Sequence, residues 1–186
     1  IAFTIFRSFP MPVILKPISK GSSIDVIVVK DFHSLVSSLD YLFERYDQIL
    51  MEEFIHGKEA TVGVMDKFRD QEQYACIPIE ISKQGDFLDY ESKCSPDINN
   101  VCDTTLSKDD KEKLQELAIK AHQILNLRHY SRSDFIIHPR RGIFLLETNS
   151  LPELTPDSLY AKGFEQTGAT YESLLDHLVE MVENSK

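Results

Sequence analysis

The pattern of apolar and polar positions becomes regular at "PVILKP" (residues 12–17), an apolar run with proline at both ends. A run of that length and setting reads as a buried strand. "KGSS" follows as a loop and "IDVIVVK" (24–30) as a second strand. Asp31 stands where a helix N-cap belongs, because "DFHSLVSSLDYLFERY" brings Leu35, Leu39, Leu42 and Phe43 to one face. "QILMEEFI" (48–55) returns as a strand, and "HGK" (56–58) marks a break at which a second lobe is expected to begin. The expected division is therefore 1–57 and 58–186.

In the second lobe "KEATVGVM" (58–65) and "YACIPIEI" (74–81) alternate well enough to pair as two antiparallel strands across the charged turn "DKFRDQEQ". "FLDYESKCSPDINNVCDTT" is polar and turn-rich, and reads as a long loop or lid. Ser107 caps the helix "SKDDKEKLQELAIKAHQILN", with Asp110 in a capping-box position and Leu114, Leu117, Ala118, Ala121 and Leu125 as its stripe. That stripe leaves His122 on the solvated face. "SDFIIHP" and "GIFLLET" form a hairpin through "RRG", "NSLPELTPDS" is a loop, and Thr170 caps a last amphipathic helix, "TYESLLDHLVEMVEN". The mixture predicts an α+β fold with antiparallel sheets in the second lobe.

Composition narrows the class. With 42% hydrophobic and 27% charged residues, the 186-residue chain can bury a core as one domain or two small lobes. No apolar run approaches the roughly 20 residues that span a bilayer, so no membrane partner is expected. A net charge of −10 argues against a general nucleic-acid binder but permits a nucleotide site with local cations. Cys76, Cys94 and Cys102 are an odd set without CxxC spacing, which disfavours a zinc site or disulfide framework and predicts a cytoplasmic setting. The first residues lack the order of a signal peptide, and Ile1 in place of Met predicts a piece of a longer protein.

The chemistry gathers in "SRSDFIIHPRRGIFLLETN" (131–149). Glu147 and Asn149, two apart on a strand, share a face, and the hairpin puts Asp134 opposite or diagonal to Glu147. Carboxylate and amide oxygens without His or Cys suit Mg²⁺ or Mn²⁺; solvated strand ends give the same pattern. Arg132 shares the face of Asp134, either to neutralise developing negative charge or to form an ion pair with Asp134 or Glu147. Lys16 before the Gly21–Ser23 loop can cradle phosphate, although the order is not that of a Walker A loop. "ILMEEFIHGKE" can hold a purine and a ribose or be a charged strand edge. Neither His56 nor His122 has a partner pattern, and no Ser-His-Asp arrangement is visible.

In order, "VILKP…KGSS", "ILMEEFIHGKEATVGV", "DYESK", "SRSDF", "FLLETNSLPELTPDSLY" and "TYESLLDHLV" resemble the D-alanine–D-alanine ligases of the ATP-grasp superfamily, from about residue 11 to the C-terminus. The resemblance implies a partial ATP-grasp fold: part of the central subdomain over 1–57 and the C-terminal catalytic domain over 58–186. It implies that Lys16 contacts nucleotide phosphates, that Ser22 and Ser23 close over them, and that Glu52, Glu53, Phe54 and Ile55 hold adenine. Glu59 would bind ribose, Lys93 would reach the phosphates from the mobile loop, and Arg132 would stabilise the acyl phosphate and the tetrahedral intermediate. Asp134, Glu147 and Asn149 would bind two Mg²⁺ ions, and Ser158 would lie near the carboxylate of the second D-amino acid.

The implied reaction is ATP-dependent joining of two D-alanines through an acyl phosphate, for peptidoglycan precursors in the cytoplasm. The N-terminal domain of such an enzyme is missing, so the chain is expected to show little activity alone, and the full-length protein to form a homodimer. "NSLPELT" departs from the family's "NTxPGxT" by placing Glu153 where glycine is usual, and Cys94 follows Lys93. These departures keep two alternatives: a ligase with a different acceptor, or a non-catalytic nucleotide-binding module.

Overall fold

The computed structural model describes residues 2–21, 23–81 and 105–183. These divide between His56 and Gly57 into two compact units. The predicted lid, with Lys93 and Cys94, and also Ser22 lie outside the described residues.

The first unit contains α1 (Ala2–Ser8), β1 (Val13–Pro17), β2 (Ile27–Val29), α2 (Phe32–Phe43) and β3 (Ile49–Glu53). The sheet is antiparallel in the order β2-β1-β3. On β1, Val13, Leu15 and Pro17 are buried while Ile14 and Lys16 take the other face, the period-2 alternation expected of a half-covered strand. Val13, Leu15 and Val29 pack against Leu35, Leu39 and Leu42 of α2. That helix starts in a capping box: Asp31 Oδ1 accepts the Ser34 N–H at 2.8 Å, and Ser34 Oγ accepts the Asp31 N–H at 3.1 Å. The Ser34 N–H also holds the Asp31 carboxyl below its ordinary pKa. Phe43, expected on the apolar face, is the last residue of α2 and stays 53% exposed. The strand expected over 24–30 is shorter, because Asp25 has a left-handed φ of 56° and turns the chain.

The second unit contains β4 (Lys58–Asp66), a 3₁₀ turn (Phe68–Asp70), β5 (Gln73–Ala75), β6 (Ile79–Ile81), α3 (Lys108–Ile124), β7 (Tyr130–His138), β8 (Gly142–Asn149), α4 (Leu159–Glu165) and α5 (Tyr171–Glu183). Its sheet runs β5-β4-β7-β8, with β6 also on β4, and every pairing is antiparallel. "YACIPIEI" is two strands rather than one. Pro78 has no N–H for a ladder, and the register against β4 slips by one residue between Ala75 and Ile79. The Gln115 side-chain amide donates to the carbonyls of Ala75 and Cys76, both at 3.0 Å, so the interrupted strand leaves neither oxygen unpaired.

Helix α3 begins at Ser107, whose Oγ accepts the Asp110 N–H at 3.1 Å. Its buried face is Leu114, Ala118, Ala121 and His122, while Leu117 and Leu125 are exposed. The face is rotated from the expected stripe because His122 finds partners on β4 and β7. The segment 150–158 is a loop as expected, but 159–165 forms the helix α4, which hydrophobic spacing over so short a stretch does not announce. Helix α4 packs closely on β4: a Cβ on Gly63 would lie 2.8 Å from the Tyr160 ring. Thr170 caps α5, with Thr170 Oγ1 accepting the Ser173 N–H at 3.1 Å. Among the described residues no helix is long and apolar enough to cross a membrane.

Candidate active site

In the second unit the predicted residues of β7 and β8 fall on one face of the sheet. Gly63 pairs with Arg132, Thr61 with Asp134, and Asp134 in turn with Glu147, so one row crosses three strands. Arg132 pairs with Asn149 in the neighbouring row. This alignment depends on a bulge in β8. From His138↔Gly142 to Phe135↔Leu145 the ladder is regular, and continued unbroken it would set Asp134 against Leu146. The register shift beyond Phe135 leaves Leu146 as the extra residue and brings Glu147 opposite Asp134. A regular ladder would have set Glu147 beside buried Ser133, where a carboxylate loses its hydration.

Asp134 is held from two sides. Arg132 Nε donates to Oδ1 and Arg132 Nη2 to Oδ2, each at 3.1 Å, while Thr61 Oγ1 donates to Oδ1 at 2.5 Å. The pair is half-buried, which strengthens it over a surface ion pair. The ion-pair reading of Arg132 is thus realised with Asp134, and Thr61 is a member the sequence did not single out. A carboxylate accepts about four hydrogen bonds, so this one keeps acceptor capacity for a cation. Asn149 Oδ1 accepts the Leu151 N–H at 3.0 Å, which fixes its amide, and Glu147 is exposed. The donor set is all oxygen and fits a hard cation. Among the described residues no three His, Cys, Asp or Glu side chains gather around a metal position.

Ser158 is the N-cap of α4, its Oγ accepting the Ala161 N–H at 3.2 Å, and is buried. Its hydroxyl proton is not used by that bond. Glu153 is exposed and its Oε1 accepts the Thr155 hydroxyl at 2.9 Å. Glu59 is the second residue of β4, paired with Ile136 of β7 and Ile81 of β6.

In the first unit Lys16 forms an ion pair with Glu52 at 2.5 Å, across β1 and β3 on the face away from α2. The Phe54 N–H donates to the Pro12 carbonyl at 3.2 Å, and the Phe54 ring stands edge-on to His56 at 4.6 Å. Glu53 and Ile55 complete the predicted adenine segment on and just after β3. Ser23 has a left-handed φ of 59° in the turn after Gly21.

The sequence profile of the family described as D-ala D-ala ligase C-terminus matches residues 2–180. The chain belongs to the D-alanine–D-alanine ligase family. It is 34% identical over 171 residues to a D-alanine–D-alanine ligase of Lawsonia intracellularis, covering 91% of this chain and 55% of that protein. A crystal structure of a D-alanine–D-alanine ligase from Bacillus anthracis superposes with a TM-score of 0.75 at 27% identity, covering 96% of this chain and 56% of the other. The same enzyme complexed with ATP gives 0.71 at 26%, covering 91% and 52%. The chain therefore spans about half the length of the ligases it matches, and its α+β architecture is theirs.

This ligase-family chain also contains a polar cluster that the sequence reading missed. His122, expected in solvent, is fully buried; its Nδ1 lies 2.8 Å from Ser131 Oγ and its Nε2 lies 3.3 Å from Asp66 Oδ1. Asp66 Oδ2 also accepts the His129 N–H at 2.6 Å. Ser131, His122 and Asp66 thus meet as a Ser-His-Asp set, but it faces α3, on the side of the sheet opposite Arg132 and Asp134, and Ser131 and His122 are fully buried. Burial holds His122 below its ordinary pKa, against the opposing pull of Asp66. The missed signal was i, i+4, i+8 spacing: Leu114, Ala118 and His122 lie on one line.

Proposed function

We propose that this chain is the ATP-handling, C-terminal portion of an enzyme that joins D-alanine to D-alanine through an acyl phosphate. The observation that carries the reading is the Arg132–Asp134–Thr61 group with Glu147 and Asn149 aligned on one sheet face, in a chain of this family. ATP binds with Lys16, Ser22 and Ser23 toward its phosphates, Glu52 to Ile55 at adenine, Glu59 at the ribose and Lys93 closing from its loop. Asp134, Glu147 and Asn149 hold Mg²⁺ or Mn²⁺, which neutralises phosphate charge when bound.

Within that scheme the side chains have separable tasks. Arg132 is oriented by its bidentate grip on Asp134, so its charge is fixed where negative charge accumulates on the acyl phosphate and the tetrahedral adduct. Lys16 must leave or share Glu52 to meet a phosphate, and the ion pair with Glu52 keeps its ammonium on the strand face until then. Ser158, with its free hydroxyl proton, donates to the carboxylate of the second amino acid. Cytoplasmic peptidoglycan precursor synthesis is the setting this chemistry serves.

The test is D-alanine-dependent phosphate release by the full-length protein that contains this chain. Wild type releases phosphate only with ATP, Mg²⁺ and D-alanine together, and Arg132→Ala loses about a hundredfold or more in kcat. Phosphate release indifferent to D-alanine would contradict the proposed reaction.

A further inference from the structure

Thr61 lies within β4, an inner strand of the second unit's sheet, paired with Asp134 of β7 on one side and Ile79 of β6 on the other. Thr61 is buried, whereas the Arg132 and Asp134 side chains are partly open to solvent. Two acceptors lie within reach of Thr61 Oγ1: Asp134 Oδ1 at 2.5 Å and the Ser133 carbonyl at 3.4 Å. A threonine hydroxyl has one proton to give. The nearer, charged acceptor takes it, because a hydrogen bond to a carboxylate is about twice as strong as one to a neutral oxygen. β-Branching restricts χ1 of Thr61, so the strand itself aims the hydroxyl.

That third bond changes what Asp134 can do. Arg132 lies two residues before it on the same strand, and the paired bonds from Nε and Nη2 fix guanidinium and carboxylate in relation to each other. Neither bond leaves β7, so the pair could swing together. The χ2 torsion of an aspartate is broad, and a long arginine side chain follows whatever plane the carboxylate takes. Thr61 reaches the pair from a second strand and from a buried position, which ties Oδ1 to the core of the unit. Oδ1 then accepts from Thr61 and Arg132 Nε, whereas Oδ2 accepts from Arg132 Nη2 and keeps acceptor capacity.

We propose that Thr61 is a positioning residue that acts through Asp134: its hydroxyl pins Oδ1, reserves Oδ2 for a cation and steadies the Arg132 guanidinium. This rests on the reading that Asp134 and Arg132 serve the acyl-phosphate reaction. Without the hydroxyl the carboxylate samples several planes, and the competent one is populated for a smaller fraction of the time. Two losses then appear together, weaker Mg²⁺ coupling at Asp134 and slower turnover at Arg132. Arg132 acts on charge that accumulates during the reaction, so its share of the loss falls on kcat and leaves KM nearly unchanged.

The test uses the full-length protein that contains this chain, as wild type, Thr61→Val, Thr61→Ala and Thr61→Ser. Calorimetry measures ATP affinity with and without Mg²⁺, and D-alanine-dependent phosphate release gives kcat and KM. In Thr61→Val, which keeps the branched shape, the Mg²⁺ enhancement of ATP affinity should fall about fivefold and kcat about tenfold. ATP affinity without Mg²⁺ and KM for D-alanine should stay within about twofold of wild type. Thr61→Ser keeps the hydroxyl and should restore both lost quantities. Thr61→Ala removes the same hydroxyl without adding bulk, and carries the test if Thr61→Val folds poorly. A merely structural threonine would give equal losses with and without Mg²⁺, and Thr61→Ser, lacking the methyl group, would be as poor as Thr61→Val. Either result, or wild-type behaviour in Thr61→Val or Thr61→Ala, overturns the assignment and leaves the site standing. A wild type without Mg²⁺ enhancement or without D-alanine dependence overturns the site and the assignment together.

Discussion

Asp134 accepts from Arg132 and Thr61 through Oδ1 but from Arg132 alone through Oδ2, and the acceptor capacity left on Oδ2 is the opening through which the proposed function would have it meet a cation. Its buried counterpart on the other face, His122, has no such opening. Because folding depresses its pKa from 6.5, the unfolded chain takes up the proton first. Stability is therefore full above the ordinary histidine value and declines as pH falls through it toward the folded value. Wild type should lose up to about 1.4 kcal/mol per pH unit below about pH 6.5 relative to His122→Gln, measured by urea denaturation. Parallel pH profiles would show that His122 titrates as it does in the unfolded chain. Cys76, whose Sγ accepts the Gly63 N–H at 3.1 Å, is pushed up to about 12 by burial and acts as a packing residue. At this scale sequence reading placed Arg132, Asp134, Glu147 and Asn149 on one face, because alternation on adjoining strands brings such residues together. It missed Thr61 and Asp66, whose partners are far away in the chain, and His122, whose alignment with Leu114 and Ala118 on one helix line was not read.

Among the elements, the hairpin β7–β8 was legible from its two apolar runs around "RRG", and the helices α2 and α3 from caps followed by periodic leucines. The bulge at Leu146 was not, since nothing in "GIFLLET" marks which leucine the ladder will skip. Nor was the break in "YACIPIEI", where Pro78 and the two carbonyls taken by Gln115 outweigh alternation. Helix α4 is too short for its period to be read, yet it packs tightly on β4 at Gly63. Gly63→Ala should cost about 1–3 kcal/mol, because its Cβ would meet Tyr160 at 2.8 Å and Phe164 at 3.0 Å. Thermal unfolding reads this directly; an unchanged midpoint would mean that α4 withdraws freely from β4.

For the whole molecule, two antiparallel sheets with their helices carry the predicted groups, with Lys16 and residues 52–55 in one unit and the Arg132–Asp134 row in the other. Family membership follows from the match over residues 2–180, and six motifs in order along the sequence already resembled that family. The chain's span of about half its relatives' length bears on turnover more than on ligand binding, so binding is the more direct test. Calorimetric titration of this chain with ATP, with and without Mg²⁺, on wild type and Asp134→Ala, addresses the central claim. The account predicts that Mg²⁺ strengthens ATP binding in wild type about tenfold or more and has no such effect in Asp134→Ala, whose fold is retained by circular dichroism. Mg²⁺ enhancement that survives in Asp134→Ala, or is missing from wild type, would contradict it.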